Sequence, residues 1–218
     1  MSAAGGLRYD RYSFAGSDEW LMRVGPEGGI PVLIVPPLFE ELNRTRALIA
    51  TTMRALAQRG FCCTLPDLPG TGESPRPLEA CGWNDWRGAL AAAAGGPAHL
   101  VAIRGGCLID DAVAARTHWR FAPVAGASLN RDLARAGLAG GADFAGYPIA
   151  PEMQAALEAG QPAAVEQVRT VRLASDPGEA DAKLAGPALW RRSEPGTSIE
   201  LAQAMADDIA GWVARCGG

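Results

Sequence analysis

The segment Ile30–Val35 is an unbroken apolar run held between two turn signals, Gly25-Pro26-Glu27-Gly28-Gly29 before it and Pro36-Pro37 after it. A short run of this kind reads as a strand buried on both faces, which only a sheet covered on both sides provides. The residues that follow change period. Leu42, Ile49, Met53 and Leu56 fall on one face of a 3.6-residue repeat, so Leu42 to Arg59 reads as a helix ended by Gly60. A second strand is expected at Phe61–Leu65, a helix at Trp83–Ala94 with Asn84 or Asp85 near its N-cap, and a third strand at His99–Ile103. Cys107 to Arg116 is expected to be helical and Trp119 to Val124 a fourth strand, while Trp20–Val24 opens the series. Alternation of this sort over the first 125 residues calls for an α/β fold, a mainly parallel sheet flanked by helices.

From Ala125 to Gln161 the pattern breaks into helical pieces around Leu129–Ala136 and Glu152–Ala159, joined by the glycine-rich stretch Gly137–Gly146. We read residues 1–218 as a single domain with a small helical cap insertion at about 125–161. The sheet resumes at Gln167–Ala174, and a last helix runs from about Ile199 to Arg215, capped by Ser198 and closed by Gly217. Ligands of open parallel sheets bind at the carboxyl ends of the strands. That points to four loops: Pro36–Asn43, Asp67–Ser74, Arg104–Cys107 and Ser175–Asp181.

Net charge is −4, which argues against a general nucleic-acid binder, and Lys183 is the lone lysine among the 20 basic residues. No apolar run approaches the ~20 residues of a membrane span, and the N-terminus lacks a basic start followed by an apolar stretch. Five cysteines without a secretory signal argue against a disulfide framework. There is no CxxC, HxxxH or HExxH pattern, so neither a metal nor a cofactor is expected. The expected compartment is the cytoplasm, with reduced thiols.

The loop Asp67-x-x-Gly70-x-Gly72-x-Ser74 resembles the Asp-x-x-Gly-x-Gly-x-Ser loop of α/β-hydrolases. Three further segments narrow the likeness. Val35-Pro36-Pro37-Leu38-Phe39-Glu40-Glu41-Leu42-Asn43 resembles the Pro-Pro-Phe-x-Glu-Glu-x-Asn segment of the exosortase A system-associated hydrolase 2 family. Ala145-Gly146-Tyr147-Pro148-Ile149-Ala150-Pro151 resembles its cap segment, and Leu189-Trp190-Arg191 with Glu194 resembles its C-terminal stretch. The likeness runs in order from about residue 30 to 215. It implies an α/β-hydrolase fold, hydrolysis and a place in a bacterial exosortase and exopolysaccharide system, without establishing a reaction.

A nucleophile elbow in this superfamily reads G-x-S-x-G. The equivalent here is Ala102-Ile103-Arg104-Gly105-Gly106, with arginine at the nucleophile position. The resembled family tends to carry arginine there too. A guanidinium stays protonated and cannot attack a carbonyl. The base is missing as well. His99 starts the elbow strand, roughly 15 Å from its far end at ~3.3 Å per residue, and His118 precedes the next strand; both read as packing or surface residues. Cys107 falls three residues past Arg104, on the first turn of the expected elbow helix; it reads either as a nucleophile whose thiol pKa is lowered by the helix N-terminus and Arg104, or as a small buried helix residue packed against the sheet. Glu40 and Glu41 read either as a helix N-terminal acid pair or as partners of Arg104, with Glu41 suited to the first role and Glu40 to the second. Glu194 is another candidate partner. Asp176 is expected to be a surface acid or an arginine's partner, and Asp67 to shape its own loop. Gly105 and Gly106 with Arg104 suggest a pocket for a carboxylate or phosphate.

Three readings follow. In the first, the degenerate elbow belongs to a protein that binds a small acyl, glycosyl or anionic ligand, or a protein partner; Arg104 anchors the ligand or locks the site, and Leu38, Phe39, Asn43, Gly105, Gly106 and Glu194 complete it. In the second, the chain is an ester or thioester hydrolase using Cys107, or a water activated by Glu40 or Glu41. In the third, it is a scaffold subunit with the cap as its contact surface.

Overall fold

The computed structural model of the protein describes residues 6–136 and 147–216. Eight strands form one sheet: β1 Leu7–Phe14, β2 Ser17–Val24, β3 Ile30–Val35, β4 Phe61–Pro66, β5 His99–Ile103, β6 Thr117–Phe121, β7 Val168–Leu173 and β8 Ala182–Leu184. Their order is β1-β2-β4-β3-β5-β6-β7-β8. Pairs β1/β2 and β2/β4 are antiparallel and the rest parallel.

Alternating residues of the central strands feed two cores. Val32 and Ile34 of β3, Val101 and Ile103 of β5, and Trp119 and Phe121 of β6 pack against α1 (Glu40–Ala57) and α5 (Ile199–Cys216). Leu33, Val35, Leu100 and Ala102 face the other way, onto Trp86 and Leu90 of α2 (Trp83–Ala94). Helices α3 (Gly126–Ala136) and α4 (Pro151–Ala159) lie between β6 and β7 and bring Leu129, Met153 and Leu157 to that second core. The expected joints at Gly137–Gly146 and the closing Gly217 lie outside the described residues.

Two expectations are corrected. The segment Cys107–Arg116 is not an α-helix but two short 3-10 turns, Arg104–Leu108 and Asp110–Ala112. Two glycines precede it, and its two acids are drawn to arginines of neighbouring elements. Asp110 takes Nε and Nη2 of Arg120 on β6, at 2.7 and 2.8 Å. Asp111 takes both terminal nitrogens of Arg87 on α2, at 2.7 and 2.9 Å. Second, α1 starts at Glu40, two residues before the apolar stripe, because Glu40 and Glu41 occupy its first turn. Strands β1 and β8 are additions to the expected set. β1 buries only Tyr12, and β8 has three residues. Ser198 does cap α5, accepting the Leu201 N–H at 3.2 Å.

Candidate functional site

Strand β5 delivers Arg104 to a backbone φ of +53°, a left-handed conformation that costs a non-glycine residue of order 1–2 kcal/mol. The following turn is tight. A Cβ on Gly106 would lie 2.5 Å from the Pro36 carbonyl oxygen, and one on Gly105 would lie 2.8 Å from the Leu129 side chain. The elbow is therefore built as such, with arginine at its tip.

The Arg104 side chain does not point to solvent. Its Nε and Nη2 donate to Glu41 Oε1 at 3.0 and 2.8 Å, and both side chains are only 6% exposed. Nη1 reaches the Ala122 carbonyl at 3.4 Å, Nη2 lies 3.5 Å from Asp132 of α3, and the guanidinium stacks 4.8 Å from the Trp190 ring centre. Burial pushes the Glu41 carboxyl above its ordinary value, while the charge and hydrogen bonds of Arg104 and the Gly105 amide pull the other way. The expected roles of the two acids are thus exchanged. Glu41 pairs with Arg104. Glu40 instead meets Arg44 Nε at 3.4 Å, Asn43 Nδ2 at 3.2 Å and the Tyr147 hydroxyl at 3.3 Å. Glu194 is exposed and is not among the partners of Arg104.

Cys107 is fully buried, with no helix N-terminus beneath it, and burial first of all, then Asp110, pushes its thiol well above the ordinary value. Both histidines are packed inside the sheet. His99 Nδ1 lies 2.9 Å from Thr117 Oγ1 and His118 Nδ1 lies 3.4 Å from Asp110 Oδ2. Asp176 accepts from Arg172 at 2.9 Å. Among the described residues no group of His, Cys, Asp and Glu side chains is placed to hold a metal ion, and no helix is long and apolar enough to cross a membrane.

Among the described residues, open space lies beside the elbow loops. A cleft of about 360 Å³ sits between the loop after β3 and the loop after β4. Leu38, Phe39, Leu42 and Trp86 form its apolar lining, and Asn43 and Arg46 project from α1. Gly70, Thr71, Gly72 and Glu73 make the facing wall, and Tyr147 joins from the segment before α4. Tyr147 packs edge-on to Phe39 at 5.2 Å, and burial together with Glu40 pushes its hydroxyl up to about 12. Asp67 holds the glycine wall by accepting the Glu73 N–H at 3.0 Å. Of the expected ligand residues, Leu38, Phe39 and Asn43 line this cleft; Arg104, Gly105, Gly106 and Glu194 do not. Arg46 and Tyr147 were not singled out as site residues from sequence. The signal for Arg46 was its place one helical turn after Asn43, on the same face.

No family model matches the sequence, and no curated protein matches it. Among solved structures, a thioesterase domain from the curacin biosynthetic pathway superposes with a TM-score of 0.61, at 14% identity, over 94% of this chain and 100% of that one. An epoxide hydrolase mutant from Vigna radiata aligns at 19% identity over 53% of this chain, with a TM-score of 0.43. Epoxide hydrolase I of potato (Solanum tuberosum) aligns at 19% identity over 53% of this chain, with a TM-score of 0.42. The chain spans 38% and 39% of those two structures. Together with the strand order and the elbow, the likeness to the thioesterase domain defines the class: the protein has an α/β-hydrolase fold.

Proposed function

We propose that this α/β-hydrolase-fold protein is a binding protein rather than a Ser-His-Asp hydrolase, taking a small acyl, glycosyl or anionic ligand in the cleft between the β3 and β4 loops. The observation that carries the reading is the buried Arg104–Glu41 pair, which fills the nucleophile position with a locked cation. Neither histidine faces that position, since His99 and His118 are held within the sheet by Thr117 and Asp110. Cys107 has no solvent access through which to attack an ester. The cleft offers what a binder needs instead: apolar side chains for a chain or ring, and Asn43 and Arg46 for a polar or anionic end. Arg104 is then a lock that holds α1 and α3 around the elbow, and not the ligand's anchor.

The finer assignment rests on the four motif segments alone. Their resemblance supports a component of a bacterial exosortase and exopolysaccharide system. The test is turnover on a panel of acyl esters and thioesters by wild type, Arg104→Ala and Cys107→Ala, alongside thermal shifts with fatty acids, sugar phosphates and dicarboxylates. No turnover above buffer, with a ligand-induced shift lost in Arg46→Ala, is the expected result. Turnover abolished by either of the other two substitutions would establish a hydrolase with non-standard chemistry.

A further inference from the structure

At one end of the sheet β1 runs for eight residues, Leu7–Phe14, with a continuous register against β2 and no described strand on its outer side. Edge strands are usually blunted by proline, a bulge, shortness or charged side chains, and of these β1 carries the charges of Arg8, Asp10 and Arg11. This one has no proline, no bulge and full length. It also carries two of the large apolar side chains left in water, Leu7 at 48% and Tyr9 at 65% exposure, two residues apart and so on one face.

The charges on the opposite face are unevenly satisfied. Arg8 stands directly opposite Arg23 of β2, a like-charge cross-strand pair, which is destabilising. Its carboxylate neighbour is Glu27, 3.8 Å away on a side chain 88% exposed. Asp10 is held by Arg23 at 2.9 Å and is still 47% exposed. Arg8 and Asp10 flank Tyr9 symmetrically.

We infer that β1 is a homodimer interface, pairing antiparallel with β1 of a second copy about a two-fold axis at Tyr9. A two-fold axis perpendicular to the sheet keeps each side chain on its own face, so the two Tyr9 rings meet across the axis. The same register sets Arg8 of each copy opposite Asp10 of the other, twice. Each Arg8 thereby gains the carboxylate that β2 does not supply, and Leu7 lies along the aliphatic stem of Arg11 from the other copy. The occupant is a second copy because the strand's own charge pattern is self-complementary in this register.

Sedimentation equilibrium of the full chain over a wide concentration range tests the interface. Wild type is expected to dimerise. Asp10→Arg and Arg8→Asp, each placing like charges across the axis, are expected to weaken the dimer by about tenfold or more. The double exchange Arg8→Asp/Asp10→Arg restores opposite charges and is expected to recover it. Tyr9→Lys, at an exposed position, is expected to give a monomer that still melts cooperatively, without the concentration dependence of the wild-type Tm. A wild type that stays monomeric at every concentration overturns the inference. So does a dimer indifferent to both single reversals, or one that the double exchange fails to recover.

Discussion

Arg104 on the elbow and Glu41 in the first turn of α1 form a closed pair at 2.8 Å, both side chains 6% exposed, with the Trp190 ring beneath the guanidinium. Removing one member of such a pair strands the other without solvent, at a cost of ~3–5 kcal/mol. Glu41→Leu and Arg104→Met are each expected to lower unfolding free energy by about that amount. The double variant removes both charges and is expected to cost clearly less than the sum. Urea denaturation of the four proteins checks this, and additive losses would show the two side chains to be energetically independent.

Much of the architecture was legible because burial on two faces leaves a simple trace. Ile30–Val35 and Leu100–Ile103 are apolar throughout since each strand supplies both cores, and the Leu42–Leu56 stripe has one face to bury. What the sequence hid was decided by partners distant in the chain. The missing helix after the elbow depends on Asp110 meeting Arg120 and Asp111 meeting Arg87, which helical propensity does not register. β1 was hidden because seven of its eight residues are not buried, so its alternation carries little apolar signal. The site was half legible. An arginine at the nucleophile position predicts a nearby acid, yet α1 begins at Glu40, and that start decides that Glu41 and not Glu40 turns inward.

Gly72 adopts φ +55°, and a Cβ there would fall 2.4 Å from the Asp67 carboxylate carbon. Gly72→Ala must therefore displace the carboxylate that organises the cleft wall through the Glu73 N–H. A loss of about 1–3 kcal/mol is expected from strain and the lost hydrogen bond. Cleft ligands should bind measurably more weakly. Thermal melts and ligand-induced shifts measure both, and wild-type values in each would show that the wall tolerates the displacement.

Thiol accessibility separates a packing cysteine from a reactive one. Cys63, Cys81 and Cys107 are buried, whereas Cys62 and Cys216 are partly exposed. Titration of the native protein with a thiol-specific disulfide reagent is expected to show Cys62 and Cys216 reacting first. The other three should appear only on denaturation. Cys107→Ala should leave the native fast phase unchanged; loss of a fast-reacting thiol in that variant would show that Cys107 reaches solvent.

Asp208 ties α5 to the sheet. Its Oδ1 accepts from Trp119 Nε1 at 2.7 Å and Arg169 Nε at 2.8 Å, and its Oδ2 takes Arg169 Nη2 at 2.8 Å. Burial pushes this carboxyl up, but the hydrogen bonds from Arg169 and Trp119 outweigh it and leave the group below its ordinary value. A carboxyl depressed in the folded state contributes stability above its unfolded pKa of about 3.9. That contribution disappears as pH falls through the lower folded value. The Asp208 contribution is therefore expected to be lost on acidification below about pH 4–5. Asp111 is depressed by its hydrogen bonds from Arg87, and Asp176, against the effect of burial, by the Gly178 N–H and then Arg172; both add to the same slope. Asp208→Asn should lose about 1–3 kcal/mol at neutral pH, where charge-assisted bonds become neutral ones. Its stability should then vary less with pH in the acid range, the two curves converging as Asp208 protonates. Denaturant midpoints measured at matched pH values give both numbers, and parallel curves down to the acid limit would mean that the carboxylate's charge contributes nothing to holding α5 in place.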